Sequence, residues 1–358
     1  MKGYYIGGIQ QIGIGVENLK EAWKWYIDQF GMDCRIFEEE AVAKLMLPYT
    51  GGKPRSRHAV LAINMQSGGG FEVWQHTGRE PVYISEKIKL GDLGILACKM
   101  KVKNISDAYS FYSKNKVSLS GEPLPDPSGN KTLFLKDPYG NIFQMVEGNN
   151  WFINENKVSG GAYGAIIGVS DVEKARKLYS GILGYDVAVY DLKGVFPDLS
   201  QIPGGSNPLR RVLLRRSEPE RGPFSRIFGR SEIELISSGT PGKKVYEGRY
   251  WGDPGFIQLC YDIVNMDELR AYCEKQGFPF RVDSMNSRNG DSFDMGEAAG
   301  HFAYIEDPDG TLIELVETHK VPVLKKLGWY LDLRKRKSGK PLPEWILKTL
   351  KYSRIKLK

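Results

Sequence analysis

The chain has 358 residues, of which 41% are hydrophobic and 26% are charged, a composition typical of a globular protein long enough for two domains. No apolar run reaches the ~18 residues of a membrane span, and the N-terminus lacks the apolar segment of a secretion signal. The four cysteines are scattered without a CxxC pair, which favours buried free thiols over a metal cluster. We therefore expect a cytoplasmic protein.

The net charge of +7 comes from the C-terminal segment. Residues 325–358 hold twelve Lys and Arg against two acidic residues, whereas the rest of the chain holds 38 basic and 41 acidic residues. The basic character therefore belongs to a tail, and the body of the protein gives no electrostatic reason to expect a nucleic-acid partner.

In chain order, the predicted elements form four units that each begin with a strand and a helix and end with strands, over about 9–78, 92–148, 163–239 and 255–318. The first unit has strand IQQIGIGV, helix NLKEAWKWYIDQFG and strands AVLAINM and FEVWQH. The second has strand LACKMKV, helix SDAYSFYSKN and a hairpin with a type I turn at Asp-Pro-Tyr-Gly. The third has AIIGVS, DVEKARKLYSGILG, RRVLLRR and SEIELIS, and the fourth has FIQLCYDIV, MDELRAYCEKQG and hairpin HFAYIEDPDGTLIELVE.

These units are copies of one another. Residues 16–33 (VENLKEAWKWYIDQFGMD) align without a gap with residues 169–186 (VSDVEKARKLYSGILGYD), and DPYGNIFQMVEG at 137–148 matches DPDGTLIELVET at 307–318. A repeat is one supersecondary unit copied, so it predicts the architecture. We predict an α+β fold with a first domain at 1–150, a linker at 151–161, a second domain at 162–320 and a basic, helical C-terminal extension at 321–358.

The strand, the helix ending in Tyr-x-x-x-x-Gly, the strand pair and the DPxGxxxEL motif resemble the glyoxalase/bleomycin-resistance/extradiol-dioxygenase group, the vicinal oxygen chelate superfamily. The resemblance covers about residues 1–318. It implies four βαβββ units in two tandem domains, with two units forming each cleft and a divalent metal that chelates vicinal substrate oxygens.

The resemblance also implies metal ligands on the first and last strands of each unit, usually His or Gln and then Glu. Taking consecutive units as partners, the first cleft receives Gln11, Glu72, Ala97 and Gln144, and the second receives Gly164, Glu234, Gln258 and Glu314. None of these positions holds a His, which removes the two-His-one-carboxylate set of an iron dioxygenase.

The second cleft is thus predicted to be the active one, with Glu234, Gln258 and Glu314 as metal ligands. Their oxygen donors suit Mg²⁺, Mn²⁺ or Ca²⁺ better than Fe. Glu234 and Glu314 are also candidate acid–base residues, and the alternative is that both are strand-end carboxylates that line a wet cleft or pair with nearby arginines. The first cleft is predicted to be structural or to bind a ligand without metal, with His76 as a possible substitute ligand or a turn residue.

Two further features carry predictions. His301 opens the strand that forms a hairpin with the Glu314 strand, so it is a candidate acid–base residue at the cleft mouth or a solvent-exposed edge residue. Arg211 and Arg215 share one strand face. The pattern predicts either that they bind an anionic group of a substrate or that they belong to a solvated strand edge.

The leading function is a metal-assisted lyase or isomerase acting on a small α-hydroxycarbonyl or similar vicinal-oxygen substrate. The alternatives are a metal-free protein that sequesters a small molecule, as implied by bleomycin-resistance relatives, and a non-catalytic pseudo-enzyme docked by its tail. The tail interleaves Trp329, Tyr330 and Trp345 with lysines, which suits a peripheral contact with an anionic membrane or a helix strapped across the body. A homodimer is also possible on this sequence.

Overall fold

The structure, a computed structural model, describes residues 3–240, 242–287, 293–294, 299–324, 329–336 and 339–357. It has the predicted α+β fold, with four βαβββ units and a C-terminal extension. Within the described part of the chain, no helix is long and apolar enough to cross a membrane. The four cysteines are buried and free, as predicted.

The first half of the chain contains two units. Unit one comprises β1 (Tyr5–Gly15), α1 (Leu19–Phe30), β2 (Cys34–Ala43), β3 (Arg55–Ile63) and β4 (Gly70–His76). Unit two comprises β5 (Gly94–Val102), α2 (Ile105–Lys114), β6 (Ser118–Leu119), β7 (Leu124–Pro125), β8 (Lys131–Lys136) and β9 (Ile142–Glu147).

The second half repeats this order. Unit three comprises β10 (Ser159–Gly168), α3 (Val172–Tyr179), β11 (Val187–Gly194), β12 (Leu209–Arg215), α4 (Ser225–Phe228) and β13 (Glu232–Ser238). Unit four comprises β14 (Gly255–Val264), α5 (Met266–Lys275), β15 (Val282–Asp283), β16 (Phe293–Asp294), β17 (Ala299–Glu306) and β18 (Leu312–Leu324). The extension adds β19 (Trp329–Asp332) and α6 (Glu344–Lys348).

Local signals in the sequence explain the helix that opens unit one. The side chain of Asn18 accepts a hydrogen bond from the backbone N–H of Glu21, which satisfies one of the free donors of the first turn. Gly31 ends α1 in the left-handed conformation, at φ 65°, where a residue with a Cβ would be strained. The apolar residues between these caps fall on one buried face, which packs into the main core.

The units pair across the two halves of the chain. One sheet has the strand order β15-β17-β18-β14-β1-β4-β3-β2, and the other has the order β11-β12-β13-β10-β5-β9-β8-β6. The junctions are the antiparallel pairs β1–β14 and β10–β5. Unit one therefore shares a sheet with unit four, and unit two shares a sheet with unit three. The prediction that units one and two form one cleft and units three and four form the other is wrong.

The repeated motifs tie the units of each half together. The Tyr26 hydroxyl of α1 donates to Asp137 in the hairpin of unit two at 2.7 Å, and the Tyr179 hydroxyl of α3 donates to Asp307 in the hairpin of unit four at 3.0 Å. Each aspartate also accepts backbone N–H groups of its own turn. The Tyr-x-x-x-x-Gly and DPxG motifs therefore meet within each half of the chain, where the contact joins unit one to unit two and unit three to unit four, whereas each sheet joins units of different halves.

The C-terminal extension is packed against the body. β19 pairs with β18, and Arg354 pairs with Asp33 at 3.4 Å. Leu333, Leu342 and Leu347 are buried in a cluster with residues of units one and three. The alternative of a strap across the body therefore fits the described part of this segment, in which Lys335, Lys340 and Lys351 are exposed.

Candidate functional site

Four polar side chains converge at the centre of the sheet formed by units one and four. Gln11 of β1 and Glu314 of β18 both lie opposite Cys260 of β14 in the strand register, and Glu72 of β4 and Gln258 of β14 both lie opposite Gly13 of β1. Each unit thus contributes one amide from its first strand and one carboxylate from its last.

The two amides bridge the two carboxylates. Gln11 Nε2 donates to Glu72 Oε2 at 3.3 Å and to Glu314 Oε2 at 3.4 Å, and Gln258 Nε2 donates to the same two oxygens at 3.1 and 3.2 Å. A Cβ on Gly13 would lie 2.8 Å from the Gln258 side chain, so glycine makes room for this amide. We call these four residues, Gln11, Glu72, Gln258 and Glu314, the carboxylate–amide cluster.

The two carboxyl groups of the cluster are buried without a direct basic partner, although the positive charge of Arg57 partly offsets the rise in the pKa of Glu72. Both glutamates are 8% exposed, and both amides are more deeply buried. Burial and the charge of Glu314 raise the pKa of Glu72, and burial raises the pKa of Glu314. Tyr304 of β17 and Cys260 of β14 lie opposite Glu314 in the strand register, on either side of it. Within the part of the chain that the structure describes, no ion pair joins a Lys or Arg to either carboxylate.

This donor set fits a hard divalent cation. Two carboxylates offset the charge of the cation, and amide oxygens supply neutral ligands. Gln11 Oε1 is buried and has no hydrogen-bond partner, so a flip of its amide would aim a free oxygen at the carboxylates. Among the described residues, no group of three or more His, Cys, Asp or Glu side chains has metal-binding geometry, so the fit depends on the amides.

At the equivalent position in the other sheet, the buried carboxylate is neutralised by basic side chains. Glu234 of β13, the counterpart of Glu72, accepts a hydrogen bond from Lys99 Nζ at 2.7 Å and is ion-paired with Arg211. The Tyr190 hydroxyl donates to Glu234 at 2.8 Å. Burial alone would raise the pKa of Glu234, but Arg211 and Lys99 outweigh burial and hold the pKa at about 2. Built-in cations thus take the place that a metal would have beside this carboxylate.

The structure separates the three predicted metal ligands. Gln258 and Glu314 lie together in the cluster, whereas Glu234 lies in the other sheet, so the prediction that all three converge is wrong. The assignment of ligand positions within each unit is consistent with the strand register, and the error lies in which units share a cleft. Gln11 and Glu72, which were assigned to a structural cleft, instead complete the set around Glu314.

His301 does not lie at the cleft mouth. It is 2% exposed, and its Nε2 lies 2.8 Å from Asp283 Oδ1. Ile305 lies four residues after His301, on the same face of β17, and packs in the main hydrophobic core. Tyr304 lies on the opposite face and packs with Trp74 and Trp251. Strand alternation therefore places His301 on the face opposite Glu314, which corrects its prediction as an acid–base residue.

His76 and the arginine row also have structural partners. His76 Nε2 lies 3.0 Å from Arg79 and 3.5 Å from Asp253, away from the cluster, so His76 is not the substitute ligand. Arg211 is buried and binds Asp198 at 2.7 Å as well as Glu234, and Arg215 binds Glu232 at 2.8 Å. The strand β12 lies inside the sheet, so the prediction of a solvated strand edge is wrong for Arg211.

Two residues that contact these sites were not singled out from the sequence. Lys99 lies in the apolar strand LACKMKV, and a lysine in a buried strand was the signal for an internal ion pair. Trp251 lies in a loop between β13 and β14, and its Nε1 donates to Gln258 Oε1 at 2.9 Å. The segment YWGDPG has an aromatic residue beside turn residues, but no sequence pattern indicates where a loop side chain inserts.

The match to a family model supports the class of protein that the fold and the cluster define. Residues 8–145 match the model of the Glyoxalase/Bleomycin resistance protein/Dioxygenase superfamily. The match covers most of the first two units, and the other two units repeat their fold, so both findings support the predicted resemblance. No curated protein matches the chain in sequence.

Solved structures share the architecture over nearly the whole chain. Glyoxalase I from Zea mays is 15% identical over 87% of this chain and 92% of its own, with a TM-score of 0.52. A point mutant of that enzyme is 15% identical over 88% of this chain and 94% of its own, with a TM-score of 0.54. A putative dioxygenase from Bacillus subtilis is 13% identical over 99% of this chain and 98% of its own, with a TM-score of 0.57. At these identities the likeness shows a common fold.

Proposed function

We propose that this protein is a metal-assisted enzyme of the lyase or isomerase type that acts on a small α-hydroxycarbonyl or similar vicinal-oxygen substrate at the carboxylate–amide cluster. The observation that carries the proposal is the pair of buried carboxyl groups, Glu72 and Glu314, held together by two amides and, among the described residues, not ion-paired with a Lys or Arg. Such a pair is costly without a cation or a shared proton, because like charges repel strongly in a buried site. The glyoxalase I neighbours supply the analogy for the reaction class.

The residues that would hold the cation are Glu72, Glu314 and Gln11, with Gln258 as a fourth donor. We favour Mg²⁺, Mn²⁺ or Ca²⁺, because every donor is a hard oxygen. When bound, the cation would polarise a substrate carbonyl and lower the cost of negative charge on it.

The side chains of the cluster supply the proton chemistry. Burial raises the pKa of both carboxyls towards neutrality, which is where a general base works best. Either glutamate, when not engaged by the cation, would accept the proton of the hydroxyl-bearing carbon and return it to the former carbonyl carbon, while the hydroxyl proton moves to the former carbonyl oxygen. Tyr304, which lies opposite Glu314 in the strand register, would help to orient that carboxylate for the transfer.

The test is proton exchange at the carbon beside a carbonyl. With Mg²⁺ or Mn²⁺ present, the protein should exchange that hydrogen of small α-hydroxycarbonyl compounds for deuterium in heavy water, measured by NMR. Glu72→Gln and Glu314→Gln should abolish the exchange, and Glu234→Gln, a buried glutamate in the other sheet, is the matched control. Exchange that survives both cluster variants, or a panel of such compounds with no exchange by wild type, would refute the proposal.

One observation favours the metal-free binding protein as a second candidate. Gln258 Oε1 already accepts a hydrogen bond from Trp251, and Trp251 packs in a buried aromatic cluster with Trp74 and Tyr304. With a shared proton between the carboxyls, the cluster would bind a neutral polar group of a small molecule. Ligand binding that is unaffected by chelators would favour this candidate.

A further inference from the structure

Trp251 separates the carboxylate–amide cluster from a neighbouring cavity. Its indole N–H contacts Gln258, its ring centroid lies 4.5 Å from that of Trp74, and it is 6% exposed. It also lines a cavity of about 390 Å³ whose walls include Tyr49, Tyr246 and Tyr250. The indole therefore forms a wall shared by the polar cluster and an aromatic cavity.

The chemistry of the indole fixes the orientation of the Gln258 amide. An indole N–H only donates, so the atom that it contacts at 2.9 Å is the amide oxygen. The amide nitrogen is then directed at Glu72 and Glu314, at 3.1 and 3.2 Å. Gln11 has no such constraint, because its Oε1 has no partner.

This orientation opposes cation binding. An amide coordinates a hard cation through its oxygen, whereas its N–H₂ group stabilises carboxylates that have no cation between them. We propose that Trp251 is a positioning residue that gates cation binding: Gln258 offers its oxygen to the cluster only when the indole releases it. This inference rests on the proposed function, since the cation is that of the proposed enzyme.

The gate is a side-chain movement, because the backbone around Trp251 is pinned. The Trp251 N–H donates to Tyr49 O at 2.9 Å. The buried Asp253 carboxylate accepts the N–H groups of Tyr250 at 2.7 Å and Val82 at 3.0 Å. The adjacent cavity has room for the displaced indole, and Tyr49, Tyr246 and Tyr250 in its lining could pack against the ring.

The test is a double-mutant cycle read out as Mn²⁺ affinity by calorimetry. Trp251→Phe keeps an aromatic ring and removes the N–H donor, so it should tighten Mn²⁺ binding about three- to tenfold, the value of one net hydrogen bond. In a Gln258→Met background, which has no amide to orient, Trp251→Phe should leave the affinity unchanged. Trp345→Phe, at an exposed position, is the matched control.

A second measurement uses the wild-type protein. The chain has seven tryptophans, and the indole N–H signal that disappears in Trp251→Phe, or shifts in Gln258→Met, belongs to Trp251. Saturating Mg²⁺ should shift that signal and speed its exchange with solvent, because the hydrogen bond to Gln258 is lost.

The outcomes separate the two proposals. Wild-type protein that binds Mn²⁺ with an affinity unaltered by Trp251→Phe would overturn the gate and leave the proposed function standing. The gate would also be overturned if Trp251→Phe still changed the Mn²⁺ affinity in the Gln258→Met background. An indole N–H signal of Trp251 that did not shift with Mg²⁺ would overturn it as well. No cation binding by wild type or any variant would overturn both.

Discussion

Glu72 and Glu314 are related by the approximate symmetry of units one and four, and each accepts hydrogen bonds from the same two amides. The symmetry predicts that Glu72→Gln and Glu314→Gln weaken Mn²⁺ binding by similar factors, at least about tenfold each, because each removes one of two anions. Calorimetric titration measures both. An effect at Glu314 much larger than that at Glu72 would contradict the shared site and would restore the predicted asymmetry between the halves of the chain.

His76 gives a pH-dependent term in stability. Burial and the adjacent Arg79 lower the pKa of His76 to about 4, from about 6.5 in an unfolded chain. Between these two pH values His76 is protonated in the unfolded chain and neutral in the folded protein. The free energy of unfolding is therefore highest above about pH 6.5 and falls as the pH drops towards 4.

His76→Gln should therefore lose less stability than wild type between about pH 7 and pH 5, by roughly 2 kcal/mol. Urea unfolding at the two pH values measures the difference. His58→Gln is the control, because His58 is partly exposed beside Glu38. If wild type and His76→Gln lost the same stability between these pH values, protonation of the His76 ring would not destabilise the folded protein, which would contradict the prediction.

At the scale of strands, the two sheets neutralise the same position in different ways. Lys99 on β5 bridges Glu232 and Glu234 on β13, each at 2.7 Å, and Arg211 on β12 reaches Glu234 from the other side. The lysine and the arginine belong to different units, so this network fastens unit two to unit three.

Glu234→Gln should destabilise the protein by about 3 kcal/mol, because Lys99 and Arg211 lose a buried counter-charge. It should not alter Mn²⁺ affinity, because the network lies outside the carboxylate–amide cluster. Thermal unfolding and titration of the same sample measure both effects. A lower cation affinity without loss of stability would reverse our assignment of the two sheets.

Much of the element order could be predicted from the sequence, because hydrophobic periodicity, helix caps and DPxG turns act locally. The positions of Gln11, Glu72, Gln258 and Glu314 within their units could be predicted from the repeat. Their convergence could not, because the first strands of all four units present similar edges and the sequence does not indicate which edges pair. The contact of Trp251 with Gln258 depends on a loop conformation, which no periodicity reports.

At the scale of the whole molecule, the C-terminal extension closes over units one and three. Leu347 is 1% exposed in a cluster with Cys34 and Phe228, whereas Trp345, two residues earlier, is 60% exposed. Leu347→Ala should therefore cost about 2–4 kcal/mol of stability, and Trp345→Ala should cost within about 0.5 kcal/mol.

Chemical unfolding of the two variants tests the role of the strap. Equal, small effects would mean that the extension is detached from the body in solution. The contact of this segment with an anionic membrane stays a prediction, and the outward position of Trp345 beside Lys348 is compatible with it.

The pairing of unit one with unit four places the proposed cation site, and an anomalous difference map from crystals soaked in Mn²⁺ tests that placement most directly. We expect a peak within about 2.6 Å of carboxylate oxygens of both Glu72 and Glu314. A peak beside Glu234, or a well-ordered cluster without any peak at saturating Mn²⁺, would contradict it.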